Sequence, residues 1–204
     1  MIYRRKKGIG VESKIHKDYK KEVIDLNELP ELVPAEYLPK INIVVNKDIP
    51  KEPKKSTDLI LSHFQLYNEG EIQSNFCRMV EELNFELQNK NKFSRAYAVQ
   101  IDNGDSAGGN LTQIQRINLY KRKKREGSKT GFPDLMIPYH ISNINLHNTI
   151  YIEVKRINAP SGIRISKDQL KWFLELNNMG FNAYITNNPI FFKEVILKEI
   201  RDFL

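Results

Sequence analysis

The sequence predicts an α/β fold, a mixed central sheet flanked by helices, preceded by a proline-interrupted, largely irregular N-terminal extension. Three observations carry this reading. From residue 71 onward, segments of helical and strand periodicity follow one another in the order helix, strand, loop, strand, strand, helix, strand, helix. Before residue 55, Pro30, Pro34, Pro39, Pro50 and Pro53 recur at a spacing that prevents long helices and central strands. The length of 204 residues is enough for one ordinary domain with a full core and a tail.

The extension comes first. Its apolar residues sit in short islands, Ile24 with Leu26, Leu32-Val33, and Ile41 with Ile43-Val44-Val45. Such islands are too small for a core of their own. They are expected to be disordered, or to dock on the folded domain or on a protein partner as an added strand. The basic start at residues 4–7 either touches phosphate or is solvated. The expected division is an extension at 1–55 and a folded domain at 56–204.

In the folded domain, residues 58–67 have helical apolar spacing, with His63 on the stripe as a packed residue. Asn68-Glu69-Gly70 reads as a break. Residues 71–90 form an amphipathic helix through Ile72, Phe76, Met79, Val80, Leu83 and Leu87, with Cys77 packing beside the stripe. Residues 94–101 read as a strand, and 103–109 as a glycine-rich loop without phosphate-binding spacing. A short helix is expected at 111–120. The apolar runs from Leu135 and from Ile150 are strands that can pair as a hairpin. His140 and His147, in the connection, match no histidine metal spacing. Residues 158–162 form a turn. Ser166-Lys167-Asp168-Gln169 is a capping box that opens a helix burying Leu170, Phe173, Leu174 and the stretch 176–179, and Gly180 stops it. Trp172 packs in it. A strand follows at 181–186. Asn188 caps a last helix, Pro189 takes its first turn, and Phe192, Val195, Ile196, Ile200 and Phe203 form its apolar face.

The net charge of +7 and pI of about 9.3 favour a polyanionic partner. Cys77 is the only cysteine, which excludes an internal disulfide and a cysteine-based zinc site and points to a reducing, intracellular context. No apolar run approaches membrane-spanning length, and no secretory signal follows the basic start.

Chemistry concentrates between residues 131 and 169. Along the strand at 150–156, Ile150, Ile152 and Val154 share one face and Tyr151, Glu153 and Lys155 the other. Pairing with the run after Asp134 brings Asp134 beside Glu153. Two adjacent carboxylates repel, and a divalent cation relieves that repulsion. Oxygen ligands of this kind suit magnesium or manganese. Such an ion polarises a phosphoryl oxygen and activates water, with Lys155 placed to orient the water or neutralise developing charge. Taken alone, a Glu-x-Lys pair is more often a solvated edge strand. Pro133 restricts both itself and Phe132, which aims Asp134. Five consecutive bases, Lys121, Arg122, Lys123, Lys124 and Arg125, with Lys129 beyond them, end just before this stretch. Such a run is either a solvated block or a phosphate clamp, and Arg164 and Lys167 are placed to meet phosphate as well.

Pro133-Asp134, then Glu153-Val154-Lys155, then Ser166-x-x-Gln169 resembles the PD-(D/E)xK nuclease superfamily. Within it, Gly131-Phe132-Pro133-Asp134-Leu135, Ile152-Glu153-Val154-Lys155, Ser166-Lys167-Asp168-Gln169, Gly180 and Glu71-Ile72-Gln73 resemble the virus-type replication-repair nuclease (VRR-NUC) family over residues 71–204. The resemblance implies a restriction-endonuclease-like core and a Mg2+- or Mn2+-dependent nuclease. It implies Asp134, Glu153 and the Val154 carbonyl as metal ligands and Lys155 as the group that handles the attacking water. Glu71 and Gln169 become auxiliary site residues, although a helix-dipole partner and a capping box explain them equally well. Small members of the family act on branched DNA, including four-way junctions, as homodimers, in DNA repair and recombination. Two alternatives stand beside this reading: a sequence-specific or mobile-element nuclease of the same superfamily, and a non-catalytic nucleic-acid-binding or assembly module on a nuclease-like fold. The sequence does not separate DNA from RNA.

Overall fold

The structure, a computed structural model, describes residues 23–43, 69–101, 129–156 and 163–203, with positions 112, 115, 118, 121, 122 and 125 between them. Residues 1–22, the helix expected at 58–67 with His63, the loop at 103–109, the turn at 158–162, Lys123 and Lys124 lie outside the described residues.

Two long strands organise the sheet. Strands β5 (Leu135–Ile141) and β6 (Leu146–Val154) form the expected hairpin, with Leu135 opposite Ile152 and Ile141 opposite Leu146. Asn145 closes the connection with a φ of 50°, a left-handed conformation that asparagine tolerates. On the far side of β6, β8 (Asn182–Thr186) runs parallel to it, and β2 (Ile41–Asn42) runs parallel to β8. On the near side, β3 (Arg95–Ala96) and β4 (Val99–Gln100) both pair antiparallel with β5 in one continuous register. The strand expected at 94–101 is therefore present but interrupted. Pro138 of β5 stands opposite the interruption and accepts from the Tyr97 N–H at 3.1 Å, but it has no N–H to return.

The period-2 pattern puts an apolar layer on each face. On one face, Leu135, Ile137, Ile150, Ile152 and Val154 pack against α2 (Glu69–Lys90), whose buried stripe is Ile72, Phe76, Val80, Leu83 and Leu87. The C-terminal helices complete this layer. Asn188 caps α4 (Pro189–Phe191), accepting from the N–H groups of Ile190 and Phe191. A π turn, Phe192–Ile196, leads into α5 (Leu197–Arg201). Phe192, Ile196, Leu197 and Ile200 enter the core, and Phe76 stacks on Phe192 at 4.0 Å between ring centroids. Val195 and Phe203, expected on the buried face, are exposed: Val195 sits within the π turn, where Ile196 and Leu197 take the inward side, and Phe203 lies beyond the end of α5.

On the other face, α3 (Lys167–Asn178) buries Leu170, Phe173 and Leu176 against Ala183 and Ile185. Its end is a Schellman arrangement: Phe181 N–H donates to Leu176 O, Gly180 N–H to Asn177 O, and Gly180 has a φ of 86°. Asn178 and Met179, expected to be buried, are exposed, Met179 at 69%, because they are the last helical residue and the C-cap at this turn.

Residues 23–43 complete the second layer. Strand β1 (Val23–Ile24) pairs antiparallel with β7 (Ile165–Ser166), and Ile24, Leu29 and Val33 are buried with the α3 residues. Pro30 is accommodated in the first turn of the short helix α1 (Leu29–Leu32). Lys40 Nζ donates to Asn177 Oδ1 and to Asn182 Oδ1, both at 2.8 Å. The apolar islands do not need a core of their own, because they share that of the sheet.

Leu29→Ala should lower global stability by about 2–3 kcal/mol by leaving a cavity in this shared core. Urea denaturation followed by Trp172 fluorescence checks this. An unchanged midpoint would mean that residues 23–43 unfold separately.

Candidate active site

Four elements deliver the site: the turn before β5, the end of β6, and the first turns of α3 and α2. Asp134 stands immediately before β5, held from both sides: Ile101 N–H donates to its carbonyl at 2.8 Å, and Val154 N–H donates to its Oδ2 at 2.8 Å. Glu153 lies near the end of β6 on the face opposite Ile152 and Val154, and is 4% exposed. Lys155 follows one strand repeat later and is 6% exposed.

Gln169 joins these groups. Its Oε1 accepts from Ser166 N–H and from Lys155 Nζ, both at 2.9 Å, and its Nε2 donates to Glu153 Oε1. Ser166 Oγ in turn accepts from Gln169 N–H. The capping box and the site role are thus the same set of bonds. The cap fixes the amide so that its oxygen meets the lysine and its nitrogen meets the carboxylate. Lys155 Nζ also donates to Glu153 Oε1 at 2.8 Å.

Glu69, in the first turn of α2, supplies a third carboxylate. One oxygen each from Glu69, Asp134 and Glu153 lie within 4.8 Å of one another. Burial, then Asp134 and Glu69 beside it, push the Glu153 carboxyl up to about 8, against the pull of Lys155. Glu153 Oε2 is buried and has no hydrogen-bond partner among the described residues. A buried carboxylate with one unpartnered oxygen, clustered with two more carboxylates, fits a hard divalent cation.

Glu71 does not join this group; it is exposed. Two residues along a helix turn about 200°, so Glu69 and Glu71 cannot share a face. Glu69 lies three residues before Ile72 and seven before Phe76, on the inward stripe. The same periodicity that defined the helix held this information, but reading Asn68-Glu69-Gly70 as a break hid it. Glu69 and Gly70 are helical, and Ser74 Oγ donates to the Gly70 carbonyl. Gln73 meets Gln100 Nε2 at 2.6 Å, tying this first turn to β4 beside Asp134.

The turn before Asp134 is pressed against the start of α3. Gly131 has a φ of 74°, and a Cβ there would come within 2.7 Å of Asp168 Cβ and 2.8 Å of Gln169 N. Only glycine serves at this position. Phe132 contacts Trp172 and Tyr151 edge-on, and Trp172 Nε1 donates to Thr130 O. Trp172 packs, as its place in the helix predicts.

Lys129, Arg164 and Lys167 are exposed. Positions 115, 118, 121, 122 and 125 are helical and exposed.

A Pro-Asp turn, a Glu-x-Lys strand and a helix-start glutamine, converging at the ends of two paired strands, define a nuclease of the PD-(D/E)xK class. The family model described as VRR-NUC domain matches residues 68–188, more than half of the chain. The chain belongs to the VRR-NUC family, and its substrate class is DNA. Comparison with curated proteins and with solved structures gives no significant match. The match omits residues 23–43, which nonetheless brace Ser166 through β1. Among the described residues no helix is long and apolar enough to cross a membrane.

In the metal-free chain, Glu153 holds its proton more tightly when folded than the usual 4.5. The stability it contributes is therefore full below pH 4.5 and is lost as pH rises through about 8. Urea midpoints in chelator should fall across that window, and Glu153→Gln should remove this part of the slope. Gly131→Ala should cost roughly 1–3 kcal/mol in the same assay.

Proposed function

We propose that this nuclease is an endonuclease that hydrolyses DNA phosphodiester bonds with Mg2+ or Mn2+, selects branched DNA such as four-way junctions, and works as a homodimer in repair and recombination. The observation that carries the metal dependence is the group of Glu69, Asp134 and buried Glu153, whose Oε2 has no hydrogen-bond partner among the described residues. Branch selection and the dimer rest on the family.

Glu69, Asp134 and Glu153 would hold the ion, with the Val154 carbonyl as a further ligand. When bound, the ion would supply Lewis-acid polarisation of the phosphoryl group and an activated water. Lys155, set between Glu153 and Gln169, orients the attacking water and offsets negative charge on the phosphoryl oxygens. Gln169 is a positioning residue that keeps the Lys155 ammonium aimed. The water gives up a proton to solvent as its oxygen bonds to phosphorus, the phosphorus bond to the leaving sugar oxygen breaks, and that oxygen takes one proton from solvent, so no net proton is lost or gained in the step. Lys121, Arg122, Lys123, Lys124, Arg125, Lys129, Arg164 and Lys167 meet backbone phosphates, which gives affinity and salt dependence without sequence choice.

End-labelled four-way junction, flap, duplex and single-stranded DNA, incubated with magnesium, manganese or chelator, test this reading. Symmetric junction cuts that need metal are expected. Asp134→Ala, Lys155→Ala and Glu69→Ala should each lower the rate by about a hundredfold or more, and Glu71→Ala should stay close to the parent. Metal-dependent cutting of plain duplex alone would keep the site and remove the branch preference. Junction binding without any cutting would defeat the enzyme reading.

A further inference from the structure

The cover that α3 and residues 23–43 give their face of the sheet ends at β6. Beyond it, the same face continues over β5 to the β3–β4 edge. The register puts Arg95 opposite His140 and His140 opposite His147. These residues line an open groove of about 450 Å³ with Tyr97, Pro138 and Phe181. Tyr97 is 53% exposed there, and His147 is exposed and stacked on His140 with ring centroids 4.2 Å apart. His140 Nδ1 is buried and has no hydrogen-bond partner among the described residues. Arg95 uses one N–H on the Ser94 carbonyl at 2.7 Å, and a guanidinium has more donors to offer. None of the described residues lining the groove is acidic.

The groove connects to the catalytic turn through aromatic rings on the same face. Phe181 contacts Tyr151 at 5.5 Å, and Tyr151 contacts Phe132 at 5.7 Å, two residues before Asp134.

We propose that this groove binds unpaired nucleotides of the DNA substrate. Bases stack on Tyr97 and on the His147–His140 pair, and Arg95 meets the phosphate backbone. An exposed sheet face that offers aromatic rings beside a cation accepts bases whose π faces are free, which a duplex does not present. The chain's net charge of +7 and the absence of carboxylates from the lining favour a polyanion over a protein partner. The inference rests on the reading of the chain as a nuclease of DNA. It adds that, among branched substrates, those with a single-stranded arm, as a flap has and an intact four-way junction lacks, lay that arm along β5 away from the scissile bond.

The test uses the full chain carrying Asp134→Ala, in chelator, so that binding is read without cutting. Fluorescein-labelled oligothymidylate and a blunt hairpin duplex are titrated by anisotropy. Adding Tyr97→Ala should weaken oligothymidylate binding about tenfold and leave duplex binding unchanged. Tyr97→Phe, which keeps the ring, should restore the affinity. Iodouracil placed in the oligonucleotide should crosslink to peptides containing Tyr97 or His147.

Equal oligothymidylate affinity with and without Tyr97, or equal loss on both DNAs, overturns the proposal. So does a shift in sedimentation with unchanged DNA affinity, which would assign the groove to a second copy of the chain. If the parent chain cuts nothing yet binding depends on Tyr97, the groove stands and the metal-dependent reading falls. If it cuts DNA and binding ignores Tyr97, the reverse holds.

Discussion

Burial of the Glu153 carboxylate is the constraint from which the rest of this structure follows. Withdrawing a charged group from water costs several kcal/mol unless partners replace the lost hydration. Lys155 and Gln169 satisfy one oxygen of Glu153, while Asp134 and Glu69 oppose the charge on the other side. The lysine and the glutamine are needed to keep the carboxylate buried. The acidic neighbours make it a poor resting state and a good cation site. A site built in this way holds its ligands in place before any ion or substrate arrives, which is the condition for electrostatic catalysis.

That arrangement demands accuracy at the start of α3. Gln169 must face both Lys155 and Glu153 while it closes the helix cap. The supports for this helix start come from separate parts of the chain. Gly131 lets the Pro-Asp turn approach it, the Phe132–Trp172 contact holds the turn in place, and β1 pairs with β7 at the capping serine. The third support lies outside the family match. The N-terminal segment therefore belongs to the mechanical frame of the site even though it contributes none of the clustered carboxylates.

Much of this was legible in the residues because the signals are local. The alternation along 150–155 sorts Glu153 from the core face. The spacing from Ser166 to Gln169 marks a helix start, and Gly180 and Asn188 mark a stop and a start. Hairpin pairing placed Asp134 near Glu153, and the order of motifs led to the right family. What failed also failed for local reasons. Gly70 reads as punctuation, which starts the helix at Glu71, leaves Glu71 with two equal readings and hides Glu69. Pro138 interrupts a ladder rather than ending a strand. Val195 lies outside the core within the π turn, and Phe203 lies past the end of the last helix.

The sequence by itself determined the element types, the hairpin, the caps and the identities of Asp134, Glu153, Lys155 and Gln169, because each depends on period, turn chemistry or neighbouring residues. Only the tertiary structure decided that Glu69 completes the carboxylate group, that residues 23–43 share a core with α3, and that among the described residues the β5 face lies open beyond β6. These depend on which surfaces meet across long separations in the chain. A short apolar island or a single glutamate has the same local signature whether it meets solvent or a partner surface.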